Sequence, residues 1–143
     1  MKFVAIAEGK GARIVAHLPD GADVTDLETE LDQYRANGGP IAKAATQMLA
    51  LFAVVADNGR MRSVRLFHEA NKKESLYEFR KGDMRVYFFF SSDSGEVFIC
   101  SHAIYKKQQT THQRDVSRAV ALRDQIKAAK AAGKFRIVSR VKK

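Results

Sequence analysis

Leu76-Tyr77-Glu78-Phe79-Arg80-Lys81-Gly82-Asp83-Met84-Arg85-Val86-Tyr87-Phe88-Phe89-Phe90 is the stretch on which the fold turns. Aromatic and β-branched residues alternate with polar ones on either side of Gly82-Asp83, which is the pattern of a β-hairpin. With Gly82 first in a two-residue loop, a type II′ turn fits. Arg80 then pairs with Arg85 and Glu78 with Tyr87. Alternation puts these four on one side of the sheet, and Tyr77, Phe79, Met84, Val86, Phe88 and Phe90 on the other. The second set is the expected core face, and the first is expected to look outward. A loop one residue longer would turn Arg80 to the core-facing side. Two arginines opposite each other repel unless something negative lies between them. Glu78 is one candidate and a bound phosphate, which matches paired guanidinium forks, is the other.

Upstream of the hairpin the apolar period is helical. Thr25-Asp26-Leu27-Glu28 has the capping-box pattern, Leu27, Leu31 and Tyr34 follow at helical spacing, and Asn37-Gly38-Gly39-Pro40 ends the run. Ile41, Ala44, Ala45, Met48, Leu49, Phe52 and Val55 trace a second stripe, closed by Asp57-Asn58-Gly59. From Arg60 the period is two, and strands are predicted over 63–68, 75–80, 84–91 and 96–104 with short links that imply antiparallel neighbours. A last helix is predicted from near Thr110, with Thr110-Thr111-His112-Gln113 as a second capping box, through Val116, Ala119, Leu122, Ile126 and Ala129 to Gly133. Phe135-Arg136-Ile137-Val138 reads as a last short strand or a docked tail, and residues 1–6 and 12–18 as an amino-terminal strand or hairpin. The expected fold is α+β: an amino-terminal helical hairpin on a mostly antiparallel four- to five-stranded sheet, with a carboxy-terminal helix. Residues 1–143 read as a single domain, with no repeat or linker.

Composition narrows the class. The chain is 45% hydrophobic and 29% charged, as expected of a globular protein with its own core. Its one cysteine, Cys100, cannot form an internal bridge and reads as a buried core residue. No stretch is expected to reach membrane-spanning length, and the natural location is the cytoplasm. The formal charge of +9 is lopsided. Residues 1–58 hold five Lys/Arg against eight Asp/Glu, whereas residues 59–143 hold twenty against eight. A one-sided basic field attracts polyanions, RNA or DNA.

After the last long strand comes Ser101-His102-Ala103-Ile104-Tyr105-Lys106-Lys107-Gln108-Gln109-Thr110-Thr111-His112. Cations, amides and hydroxyls just ahead of a helix start suit an anion, because the first helical amides add partial positive charge. His102 alternates with core positions and reads as structural. His112, in polar surroundings, is the better candidate for proton transfer. There is no HExxH or CxxC spacing for zinc, no phosphate-binding glycine loop around Glu8-Gly9-Lys10-Gly11, and no Gly-x-Ser-x-Gly elbow. No cofactor or metal is expected.

These residues also carry a resemblance. Leu76-Tyr77-Glu78-Phe79-Arg80, a tight turn, and Met84-Arg85-Val86-Tyr87-Phe88-Phe89 resemble the "LYELR…YRVLYF" hairpin of the RelE/HigB toxin superfamily, nearest its phage-derived HigB-like branch. The segment from His102 to Thr111 is similar to that branch's "HGFxKKTxKTP", and Gln113 to Ala119 to its "xREIExA" helix start. The resemblance covers roughly residues 62–126. It implies a RelE-like fold and the toxin of a toxin–antitoxin pair. The activity implied is a metal-independent endoribonuclease that cleaves mRNA in the ribosomal A site, the 2′-hydroxyl attacking the adjacent phosphate. By position, Arg85 would hold the scissile phosphate, Arg80 would assist, and Lys106 and Lys107 would orient RNA and stabilise developing charge. Tyr87 and Tyr105 are further RNA-contact candidates. Glu78, His112 and Tyr105 are all conceivable general bases. The implied partners are mRNA on the ribosome and an antitoxin, expected to be a helix-turn-helix protein. Two departures stand out: Leu76 and Glu78 occupy positions where ribosome-dependent members carry lysines, and His112 replaces a common proline. The alternative on the same scaffold is a non-catalytic RNA-binding relative or a ParE-like gyrase inhibitor.

Overall fold

The structure is a computed structural model that describes residues 1–94, 96–106 and 111–138. The chain runs β1 (Lys2–Glu8), β2 (Arg13–His17), α1 (Asp26–Ala36), α2 (Gly39–Arg62), β3 (Phe67–Asn71), β4 (Leu76–Lys81), β5 (Met84–Phe90), β6 (Val97–Tyr105), α3 (Gln113–Ala131) and β7 (Arg136–Val138). Among the described residues, all seven strands form one sheet in the order β3-β4-β5-β6-β2-β1-β7. Strands β3 to β6 are an antiparallel meander; β2 joins β6, and β7 joins β1, in parallel.

The α+β class agrees with the sequence reading, but the strand count does not. The helical hairpin is preceded by the β1–β2 hairpin, and β7 closes the far edge, so the sheet has seven strands in place of four or five. The short apolar runs at both ends of the chain become strands because β6 and β1 offer them open edges, a pairing no local pattern encodes. Strand β3 starts at Phe67, since Ser63 to Leu66 form a turn closed by the Leu66 amide on the Ser63 carbonyl at 2.8 Å. Helix α3 begins at Gln113, with His112 as a cap that makes no side-chain capping bond.

Helix α1 starts as its sequence dictates. The Glu28 amide donates to Thr25 Oγ1 and the Thr25 amide donates to Glu28 Oε1, each at 3.1 Å. Helix α2 is kinked at Gly59, whose φ of 79° is left-handed. That residue meets the β1–β2 turn, where the Gly11 and Ala12 amides donate to the Ala56 carbonyl at 3.0 and 2.8 Å and so cap the segment before the kink. A Cβ on Gly11 would lie 2.5 Å from the Gly59 nitrogen, so the close approach requires glycine. At 24 residues α2 does reach spanning length and composition, which corrects the earlier reading. Its stripe of Ala45, Met48, Phe52 and Val55 is nonetheless buried on the sheet.

The sheet carries a core on each face. Helices α1 and α2 cover Ile14, Phe79, Met84, Val86, Phe88, Phe98 and Cys100. On the other face Val116, Ala119 and Ile126 of α3 pack with Phe3, Val15, Tyr87, Phe89 and Ile99. This second core is the main departure from the sequence reading, which left that face open to solvent.

Candidate functional site

The β4–β5 register is the one read from the sequence: Arg80 opposes Arg85, Glu78 opposes Tyr87 and Lys81 opposes Met84 around the Gly82-Asp83 loop. Gly82 has φ +56°, the left-handed value that such a loop requires and glycine supplies. The exposure of that face is where the reading fails. Glu78 is 1% exposed, Arg85 2% and Tyr87 0%, and α3 packs on this side of the sheet, against Tyr87. Charged groups tolerate such burial only when paired, and these are. Glu78 Oε2 accepts from Arg80 Nε at 3.2 Å and lies 3.1 Å from Arg85 Nε in a poorly aligned ion pair. Arg85 Nη1 donates to the carbonyls of Gly82 and Met84 at 2.8 and 3.0 Å. Arg85 thus clamps the turn, and one carboxylate relieves the repulsion between two guanidiniums. Of the pair, only Arg80 reaches solvent, its side chain 31% exposed.

Lys106 extends the cluster. Its amide donates to the Asp83 carbonyl at 2.8 Å, tying the end of β6 to the hairpin loop, and its Nζ stands 5.9 Å from the Tyr87 ring centroid. Partial burial lowers its pKa, opposed by the charges of Glu78 and Asp115. Burial, with Glu78 and Asp115 adding to it, raises the pKa of the Tyr87 phenol, so this hydroxyl stays protonated at neutral pH.

A bulge in β5–β6 sets Tyr87 against both Ser101 and His102, since Val86 pairs with Ala103 and Phe88 with Cys100. His102 lies 5.2 Å ring to ring from Tyr87. Its Nε2 is 2.9 Å from Asp115 Oδ1 and its Nδ1 is 2.8 Å from Ser101 Oγ. Burial lowers the His102 pKa against the pull of Asp115. The imidazole is therefore neutral at pH 7 and pins the first turn of α3 to the sheet, in keeping with the structural role read for it. Asp115 is the member of this arrangement that sequence reasoning missed. Nothing in the local pattern pairs an aspartate in a helix with a histidine thirteen residues earlier in a strand.

The remaining candidates scatter. His112 sits half-buried at the α3 cap. Tyr105 belongs to the opposite face, against the α1/α2 core and beside Pro40, Lys43 and Gln47, so it is not brought to Glu78 and Arg80. Lys107 lies outside the described residues, as does Thr110 of the expected second capping box. Cys100 is buried, and burial raises its thiol pKa, leaving it inert. Among the described residues no group of three or more His, Cys, Asp or Glu is placed to hold a metal ion.

Residues 41–124, from the start of α2 well into α3 and including the whole cluster, match the family described as phage derived protein Gp49-like (DUF891). The match covers more than half of the chain, and the chain belongs to that family, a RelE/HigB-like toxin family of type II toxin–antitoxin systems. No curated protein matches the chain.

Proposed function

We propose that this protein is the toxin of a toxin–antitoxin pair, acting in the cytoplasm as a metal-independent endoribonuclease on mRNA in the ribosomal A site, with a helix-turn-helix antitoxin as its partner. The observation that carries the reading is the gathering of Arg80, Glu78, Arg85, Tyr87 and Lys106 around one hairpin in a chain of this family. Arg80 and Lys106 are the accessible cations, and in this reading they hold the non-bridging oxygens of the scissile phosphate. Glu78 and Arg85 are too buried to touch RNA and act as positioning residues that fix the Arg80 fork and the loop. The 2′-oxygen forms a bond to phosphorus as the bond to the 5′-oxygen breaks. A base must take the 2′-hydroxyl proton and an acid must protonate the leaving oxygen. Glu78 is held by two guanidiniums and Tyr105 is on the far face, which leaves His112 as the acceptor that then returns the proton to the leaving 5′-oxygen; Tyr87, 0% exposed, is a positioning residue like Glu78 and Arg85.

The test is cleavage of mRNA on translating ribosomes by the purified chain. Arg80→Gln is expected to lower cleavage by about 10²-fold or more, the scale for loss of one donor to a developing oxyanion. Undiminished cleavage would sink the assignment of Arg80. A second reading, an RNA-holding relative that does not cut, is favoured by one observation: Glu78 already neutralises part of the cationic pair. It would show as ribosome or RNA binding, sensitive to Arg80→Gln, with the mRNA intact.

A further inference from the structure

Four large hydrophobic side chains are exposed among the described residues, and three of them, Val54, Met61 and Val64, cluster at the end of α2 and the turn that follows. Met61 is 84% exposed and Val64 61%, beyond what isolated surface residues need. Two grooves open beside them. One, of about 260 Å3, runs from Met61 and Val64 to Phe67, Tyr77 and Phe90; the other, of about 290 Å3, lies between Val54 and Leu66. Val64 lines the first and Leu66 the second, so the turn of residues 63–66 borders both. Directly beyond it β3 forms the sheet edge and, among the described residues, pairs with β4 alone, so its outer side offers amides and carbonyls to a further strand.

The chemistry of the rim selects the occupant. Arg62 and Arg65 are exposed and make no ion pair among the described residues, and the Arg60 guanidinium lies 3.7 Å over the Phe90 ring. Methionine, aromatic rings and arginine around an apolar centre is the composition of a protein-binding surface. Nucleic acid fits less well. Aliphatic Met61 and Val64 offer nothing to phosphate, and the rings of Phe67, Tyr77 and Phe90 are turned edge to face on one another at 5.1–5.8 Å with Arg60 over Phe90, leaving no clear platform for a stacked base.

We infer that this groove and the β3 edge are the docking surface for a partner protein, which presents an acidic segment with one apolar side. The surface lies toward the α2 side of the sheet, whereas Glu78, Arg85 and Tyr87 alternate to the other face, the one on which α3 packs. The grooves open on the face opposite Glu78, Arg85 and Tyr87, so partner binding and RNA contact can be tested as separate functions. The inference rests on the toxin reading only for its probe, the protein encoded by the reading frame adjacent to this chain's own.

Binding of that protein to the full chain is measured by calorimetry at low and high salt. Met61→Asp with Val64→Asp introduces charge at two exposed positions, and an unchanged thermal melt shows that the fold is kept. The expected result is a dissociation constant weakened about 30-fold or more, as for a central interface patch. Arg62→Glu with Arg65→Glu should weaken binding about tenfold and flatten its salt dependence. Cleavage on ribosomes should be unchanged in both. Affinity within about threefold of wild type, or no binding by the wild-type chain, overturns the inference. So does a patch variant that instead turns a dimer into a monomer, or that loses affinity for an RNA oligonucleotide. Patch-dependent partner binding without ribosomal cleavage would defeat the nuclease reading and leave this one standing.

Discussion

Glu78→Gln is the substitution that most directly probes how the hairpin holds its charges. The carboxylate is 1% exposed, lies 3.1 Å from Arg85 Nε and accepts from Arg80 Nε at 3.2 Å. At about 4 Å and an effective dielectric of about 20, one such pair contributes roughly 4 kcal/mol of Coulomb attraction before desolvation. Removing one member of a buried pair costs about 3–5 kcal/mol, because the other is left buried and unneutralised. Arg85 would keep its two carbonyl acceptors, Gly82 and Met84, which places the cost at the lower end. Arg80, partly in water, adds little. The expected loss is therefore about 3 kcal/mol, or roughly 10 °C in Tm for a chain of this length. Urea denaturation followed by circular dichroism measures it, and a cycle with Arg85→Met isolates the pair. With Arg85 already gone, Glu78→Gln should cost under about 1 kcal/mol, since no buried cation remains to be stranded. A loss below about 1 kcal/mol in the single variant, or an equal loss with and without Arg85, would refute the account of Glu78 as the bridge between two guanidiniums.

Further outcomes follow from other contacts. His102 is held below its ordinary value of 6.5, so the unfolded chain takes up the proton first. Its contribution to stability is complete above about pH 6.5 and is lost as pH falls below that; His102→Gln should flatten the decline in Tm between pH 7 and 5, and an unaltered decline would assign it to other groups. Gly11→Ala forces a Cβ to within 2.5–2.8 Å of Asn58 and Gly59 backbone atoms and should cost about 2 kcal/mol by overpacking; an unchanged melt would mean that this turn is not seated on α2. Thr25→Ala removes one half of the α1 capping box and should cost about 1 kcal/mol in urea denaturation, whereas Thr25→Ser should cost less.

The local grammar of the chain determined a good part of this molecule. Alternation about Gly82-Asp83 sets the Arg80–Arg85 and Glu78–Tyr87 register, because a two-residue loop leaves one pairing that keeps Phe79, Val86 and Phe88 together. The Thr25–Glu28 box and the stripe from Ala44 to Val55 likewise define α1 and the body of α2, since capping and helical periodicity act over a few residues. What only the tertiary structure decided is where α3 lies. Val116, Ala119, Leu122 and Ile126 recur at helical spacing, but that spacing does not say which surface they will cover, and it is the second sheet face. Once they do, the residues expected to look outward become a buried network: Arg85 clamps its own turn, Glu78 bridges two cations, and Asp115 meets His102. The accessible chemistry contracts to Arg80 and Lys106 at its margin. Docking, driven by apolar area that becomes contiguous only in three dimensions, settled which of these polar residues support the site and which can reach a ligand.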